Sequence, residues 1–258
     1  MALQLMLYRT EVYGATDTGL VRHNNEDCWH QLDDYHFYSL ADGMGGHQAG
    51  EIASREAVKN IGHFVTENLL SDKSLHDARE LLSDGIRWVN DLVYRMGHRS
   101  CELKGMGTTL CCLFLHPKGL IYAHVGDSRI YRMRKGQLEL LTHDHSLVRE
   151  LIDLGQLNES EAEAFQYKNI LTKAIGIEPK IEPTVQSDSL QKGDILMMCT
   201  DGLTDLLADQ EIEQVMKTEP ENEMANSLVK KAIAKGGFDN VTVVIVKIQD
   251  QNASTDLP

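Results

Sequence analysis

The chain has 258 residues, 42% of them hydrophobic, and a formal net charge of −14. That composition supplies a sizeable core and excludes a disordered chain. The acidity leaves no general electrostatic footprint for nucleic acid or for an anionic membrane surface.

The opening stretch "MALQLMLYRTEVYG" is too short an apolar run for a signal peptide, and no later run approaches a membrane span. Five cysteines, none spaced C-x-x-C, read as reduced thiols of a cytoplasmic protein and exclude a thiolate zinc site. "YHFYSLA" (35–41) reads as a strand. After it, Ile52, Ala53, Ala57, Ile61 and Val65 recur at helical spacing, and a second helix over about 75–96 carries Leu75, Ala78, Leu82, Ile86, Val89 and Val93 on one stripe. Next comes a meander: "TLCCLFLH", "LIYAHV", "RIYRMR" and "QLELL", joined by the turns "PKG", "GDS" and "KG". Connections this short join only antiparallel strands, which excludes a simple βαβ dinucleotide fold here. If Cys111 and Cys112 lie on a strand, they point to opposite faces. Residues 146–170 are polar and helical. "DILMMCT" and "VTVVIVKI" are strands apolar on both faces, with helices around 209–217 and 221–235 between them. The expectation is one domain over 1–250, sheets with helices packed outside, and a short polar tail over 251–258.

Five aspartates share a setting. Asp42 ends a strand in "LADGMGG", Asp127 lies in the turn of "VGDSR", and Asp201 ends a strand in "MMCTDGL". Asp239 precedes the last strand in "GFDNVTVVIV", and Asp27 lies in "RHNNED" before another. Any one Asp-Gly is an ordinary turn. All five brought to one sheet edge would repel unless cations sit between them, and oxygen-only ligands suit Mg²⁺ or Mn²⁺. Gly43 and Gly202 follow two of these aspartates, where a bare Cα lets a carbonyl turn toward a metal.

The ordered set "RHNNED", "LADGMGGHQAGEIAS", "GMGTTL", "AHVGDSRIY", "LTHDHSLV", "LTKAIG", "GDILMMCTDGLTD" and "FDNVTVVIV" resembles the metal-dependent type 2C (PPM) protein phosphatases, with Met44 as in the bacterial branch. The resemblance covers roughly residues 12–248. It implies an α+β fold, an α-β-β-α sandwich of two antiparallel sheets flanked by helices. It also implies two core Mn²⁺ or Mg²⁺ ions and a third, weaker one. Carried over by position, Asp42 bridges both core ions, Gly43 offers its carbonyl to one, Asp201 and Asp239 complete the other, and Asp127 helps hold the third. Glu26 and Asp27 lie where the family places an acidic pair, Asp27 the closer. Asn240 supports Asp239 or orients a metal-bound water.

The implied reaction is in-line attack on phosphorus by a hydroxide held between two ions roughly 3.5–4 Å apart, with no phosphoenzyme. The absence of a C-x₅-R loop agrees. Arg22 falls on the family's R-x-x-N-x-D pattern, and its planar fork suits two phosphate oxygens. His47, near the metal turn, is a proton donor to the leaving alkoxide or a structural histidine; eukaryotic relatives carry a histidine where Met44 stands. His143 and His145 read as loop residues near the site. Gly105, Gly107, Thr108 and Thr109 read as allowing close sheet packing. A flap is expected at about 150–170. The implied substrates are phosphoserine and phosphothreonine proteins, targets of a bacterial eukaryote-like Ser/Thr kinase, and the enzyme is expected to be a monomer. Three rivals are a metal-binding module without catalysis, a sigma-factor-control regulator phosphatase, and a calcium-binding domain. The first would lack a core aspartate, the second Arg22, and the third needs a D-x-[DN]-x-[DN]-G loop that is absent.

Overall fold

Strands that are apolar on both faces need cover on both faces, and four layers follow from that. The computed structural model describes residues 8–45, 49–68, 70–163, 165–167 and 169–250. In chain order come β1 (Tyr8–Asp17), β2 (Asp27–Leu32), β3 (Phe37–Met44), α1 (Ala49–Asn68) and α2 (Leu75–Arg99). Then follow β4 (Gly107–Thr108), β5 (Leu110–His116), β6 (Gly119–Val125), β7 (Arg129–Arg134), β8 (Gln137–Leu140), α3 (Leu147–Asp153) and α4 (Glu159–Glu163). The chain continues through β9 (Thr184–Asp188), β10 (Ile195–Cys199), α5 (Asp201–Thr204), α6 (Asp209–Thr218), α7 (Glu221–Ala234) and β11 (Val241–Asp250).

One sheet has the order β1-β11-β10-β7-β8; the other has β2-β3-β5-β6-β9, with β4 paired to the end of β3. Every pairing is antiparallel. Side-chain alternation divides the core. On β5, Cys111, Leu113 and Leu115 pack between the sheets, while Leu110, Cys112 and Phe114 face α1 and α2. The two cysteines do point to opposite faces. On β11, Val244, Val246 and Ile248 join the layer between the sheets, and Val243 and Ile245 meet α6 and α7. The helical stripes land where their spacing predicts: Ala53, Ala57, Ile61 and Val65 of α1 pack with Ala78, Leu82, Ile86, Val89 and Val93 of α2. Each fully buried aliphatic side chain contributes about 1.5–3 kcal/mol. Ser74 caps α2, its side chain accepting from the Asp77 N–H at 3.1 Å.

Three strands have no counterpart in the sequence reading. β1 pairs with β11 along its whole length, from Tyr8 opposite Asp250 to Asp17 opposite Val241. β9 pairs with β6, and the two-residue β4 pairs with β3. β1 and β9 are polar edge strands, so only their distant partners reveal them. The eight-residue tail lies outside the described residues. Among the described residues, no helix is long and apolar enough to cross a membrane.

Register brings the aspartates together. Cys199, the last residue of β10, lies opposite Val243 near the start of β11 and opposite Arg129 at the start of β7. Asp201, Asp239 and the 126–128 turn therefore share one edge of the first sheet. That turn carries the chain across from β6 of the second sheet. There Val125 lies opposite Leu110, and Cys111 opposite Leu40, two residues before Asp42.

Candidate metal centre and phosphate site

Asp27 and Asp42 stand directly opposite each other in the β2–β3 ladder. Like charges in that position destabilise a sheet, so the pair has a purpose other than folding. Asp27 Oδ2 accepts from Thr242 Oγ1 at 2.7 Å and from Thr200 Oγ1 at 3.0 Å. Its Oδ1 is buried with no hydrogen-bond partner. Burial pushes the Asp27 carboxyl up to about 7, against the pull of those two threonines and with a further push from Asp201 and Asp239. Asp42 is raised well above the carboxylate range by burial first, then by Asp27, Asp201, Asp127 and Asp239. Asp127 is raised by burial, Asp201 and Asp144.

Arg22, Glu26, Asp42, Asp127, Asp201 and Asp239 line one cavity of about 610 Å³. Asp27, opposite Asp42 in the ladder, is not among the lining residues. Among the described residues no three Asp, Glu, His or Cys side chains are drawn into a finished ligand group. What the structure shows is a set of carboxylates that face one space and hinder one another's ionisation. An orphaned buried carboxylate oxygen beside four further aspartates fits hard divalent cations, whose charge would relieve both costs.

The backbone around these groups is tightly braced. The Asp42 N–H donates to Thr109 Oγ1 at 2.8 Å, and Thr108 Oγ1 donates to the Asp42 carbonyl at 2.8 Å. Thr109 Oγ1 also bonds Ser128 Oγ at 2.7 Å, tying the Asp127 turn to the Asp42 strand. Expected only to ease sheet packing, the two threonines are the brace of the site. The glycines also have a reason beyond a free carbonyl. A Cβ on Gly43 would fall on the carbonyl oxygen of Gly50, and one on Gly202 on that of Asn240. Backbones approach there as closely as only glycine permits.

Asn240 reaches across from β11's entrance to hold the N-terminal loop. Its Oδ1 accepts the Glu26 N–H at 2.8 Å, and its Nδ2 donates to the carbonyls of Thr18 and Asn24, each at 2.9 Å. It therefore positions the loop bearing Arg22, Glu26 and Asp27. Glu26 itself accepts from Asn24 Nδ2 at 3.2 Å and packs against Gly50, its pKa raised chiefly by burial. Arg22 Nη2 donates to Asp239 Oδ2 at 2.7 Å, and the Arg22 side chain is 52% exposed. The phosphate-binding and metal-binding expectations thus meet in one ion pair at the cavity mouth.

His143 and His145 do not converge on the carboxylates. His143 Nε2 bonds Asp153 at 2.6 Å on the surface. Buried His145 accepts the Gly126 N–H at 3.2 Å, stacks on His124 at 4.5 Å, and is held to a pKa of about 3, chiefly by burial. His47 lies outside the described residues. The polar segment forms α3 and α4, and its base is closed by a Ser146–Leu171 bridge; Asn169 and Leu171 reach the cavity wall.

Asp205 is the acid the sequence reading missed. It raises the pKa of Asp127 and lines a second cavity of about 460 Å³ together with Asp127 and Asp201. The signal was present in "TDGLTD": Asp201 and Asp205 are four apart at a short helix, hence on one face.

The sequence model of a family described as protein phosphatase 2C matches residues 21–232. "Protein phosphatase PhpP" of Streptococcus pneumoniae is 36% identical over 252 residues, covering 94% of this chain and 99% of the relative. The serine/threonine phosphatase PstP/Ppp of Mycobacterium tuberculosis superposes with a TM-score of 0.85 at 33% identity, over 93% of this chain and 99% of that one. A structure of the PstP catalytic domain in complex with two manganese ions superposes with a TM-score of 0.83 at 33% identity, with the same coverage.

Proposed function

Since the chain belongs to the protein phosphatase 2C family, we propose that it is a metal-dependent protein serine/threonine phosphatase. The observation that carries this reading is the convergence of Asp42, Asp127, Asp201 and Asp239 with Arg22 on one cavity. Two manganese or magnesium ions, held by Asp27, Asp42, the Gly43 carbonyl, Asp201 and Asp239, would supply charge neutralisation and a water of lowered pKa. A third, weaker ion would be held by Asp127, with Asp205 lining the same cavity.

The protein's own residues supply the rest. Arg22, fixed at the mouth by Asp239, offers its guanidinium fork to two phosphate oxygens. Thr108, Thr109 and Asn240 hold the ligand-bearing backbone in place, so it need not reorganise as the reaction proceeds. His47, five residues after Asp42, is the candidate to protonate the leaving serine or threonine oxygen. The substrates are phosphorylated proteins, targets of a Ser/Thr kinase. One chain supplies every group named, which supports action as a monomer. Free cysteines among the described residues support a cytoplasmic setting.

The test is phosphate release from a phosphothreonine peptide. Purified protein should turn over with Mn²⁺ or Mg²⁺ and stop on chelation. Undiminished activity after exhaustive metal removal would sink the reading.

A further inference from the structure

The cavity does not end at the carboxylates. Its wall runs past Gly43 to Met44 and along residues 171–182, where Ile177 faces it. A single exposed aliphatic residue is ordinary, but Ile177, 40% exposed, is held in place from both sides. Asn90 of α2, 1% exposed, accepts the Gly176 N–H on its Oδ1 at 2.8 Å. Its Nδ2 donates to the Glu178 carbonyl at 3.0 Å. Just before this, Thr108 and Ile175 exchange both backbone hydrogen bonds, at 3.0 and 2.9 Å. A buried amide that spends its donor and its acceptor on the two residues flanking Ile177 fixes where that side chain points.

The end of β3 brings a second apolar tip to the same spot. Met44 pairs with Gly107. A Cβ on Gly107 would lie 2.8 Å from Met44 Cε and 2.7 Å from Ile177 Cδ1. The bare backbone at Gly107 therefore lets the two side chains meet above it as an apolar shelf. Asp42 and Met44 are alternate residues of β3, so they project to one face roughly 7 Å apart. An extended peptide spaces its own alternate side chains by the same interval.

We propose that the Met44–Ile177 shelf is a subsite for an apolar side chain within two residues of the phosphorylated one, making phosphoproteins with an aliphatic residue there the preferred substrates. This rests on the phosphatase reading above. The occupant follows from continuity: the shelf, Arg22 and the carboxylates line one cavity, so a phosphoprotein that seats its phosphate on Arg22 beside Asp42 brings its neighbouring residues to Met44 and Ile177.

The experiment uses peptides phosphorylated on one threonine, with leucine or serine placed in turn at each of the two positions on either side. With manganese, the wild-type protein should favour leucine in kcat/KM by about tenfold at one of these positions, the scale of seating one aliphatic group. Ile177→Ser should cut that preference below about threefold, and Ile177→Leu should keep it. The leucine-to-serine ratio is taken within one preparation, so loss of fold or metal lowers both rates and leaves the ratio unmoved. An absent preference in the wild type, or one that survives Ile177→Ser, overturns the subsite. Inactivity of the wild type on every peptide would instead defeat the phosphatase reading, and the subsite with it.

Discussion

An aspartate stands just outside each end of strand β10, and the two have opposite surroundings. Asp194, 1% exposed, accepts from Arg134 Nε at 2.7 Å and Arg134 Nη2 at 2.6 Å, and from the Gln191 N–H at 2.8 Å. Nearby, Arg132 pairs with both Glu139 and Asp188 and joins the two sheets. Seven residues on, past the other end of β10, Asp201 lines the cavity and raises the pKa of Asp27, Asp42 and Asp127. One end of the sandwich matches each named carboxylate with a guanidinium. The other crowds Asp42, Asp127, Asp201 and Asp239 onto one cavity, whose wall also carries Arg22, Lys173 and Lys180. The residue type is the same and each stands within two residues of an end of β10, so the difference lies in the tertiary neighbours. Crowded carboxylates of that kind are what divalent cations would relieve.

Deleting one acid at each end separates the two roles. Asp42→Ala should lower manganese-dependent phosphopeptide turnover by at least about a thousandfold, because the charge that orders the nucleophile's surroundings is gone. The fold should survive, since the deletion removes mutual repulsion. Activity within about tenfold of the wild type would place the metal centre elsewhere.

Asp194→Ala should do the reverse. It removes the buried carboxylate that Arg134 and the Gln191 N–H share, leaving Arg134 only its Ser189 contacts, which costs about 3 kcal/mol of stability by urea denaturation. The folded fraction should turn over at an ordinary rate. A variant that kept its stability and lost its catalysis would collapse the distinction between the two ends.

Chelation sharpens the contrast further. Asp27 has a folded pKa of about 7, above the unfolded value near 3.9. The metal-free folded state therefore binds more protons than the unfolded chain between those values, so stability falls as pH rises through that window. Thermal melts in EDTA should show Tm dropping from pH 5 to pH 7.5, and added manganese should abolish the slope. A metal-free Tm that climbed with pH would mean the carboxylates are not held against their ionisation.

Arg22→Ala carries the smallest expected effect. With its side chain half in water, Arg22 contributes little to folding. Losing its phosphate contact should raise KM and lower kcat/KM by about tenfold. Unchanged KM and kcat would leave Arg22 as no more than a surface partner of Asp239.

Several elements were legible along the chain alone. Apolar stripes at helical spacing fixed α1 and α2, short turns fixed the antiparallel meander, and continuous apolar runs marked β10 and β11 as covered on both faces. These are local signals, since the period of a pattern is set by the geometry of its own element. Asp42, Asp127, Asp201 and Asp239 were legible because each stands at a strand end or turn, in motifs that resemble one family. Tertiary structure alone decided the rest. β1 and β9 became strands because β11 and β6 offered ladders to polar segments far away in sequence. Asn240 became the brace of the Arg22 loop, and Thr108 and Thr109 that of Asp42, because antiparallel register carried them there. Asp194 became a structural acid and Asp201 a member of the centre because one end of β10 met Arg134 and the other met more aspartates. A carboxylate's role depends on the charges within a few ångströms of it, and those distances are set by register across the sheets rather than by spacing along the chain.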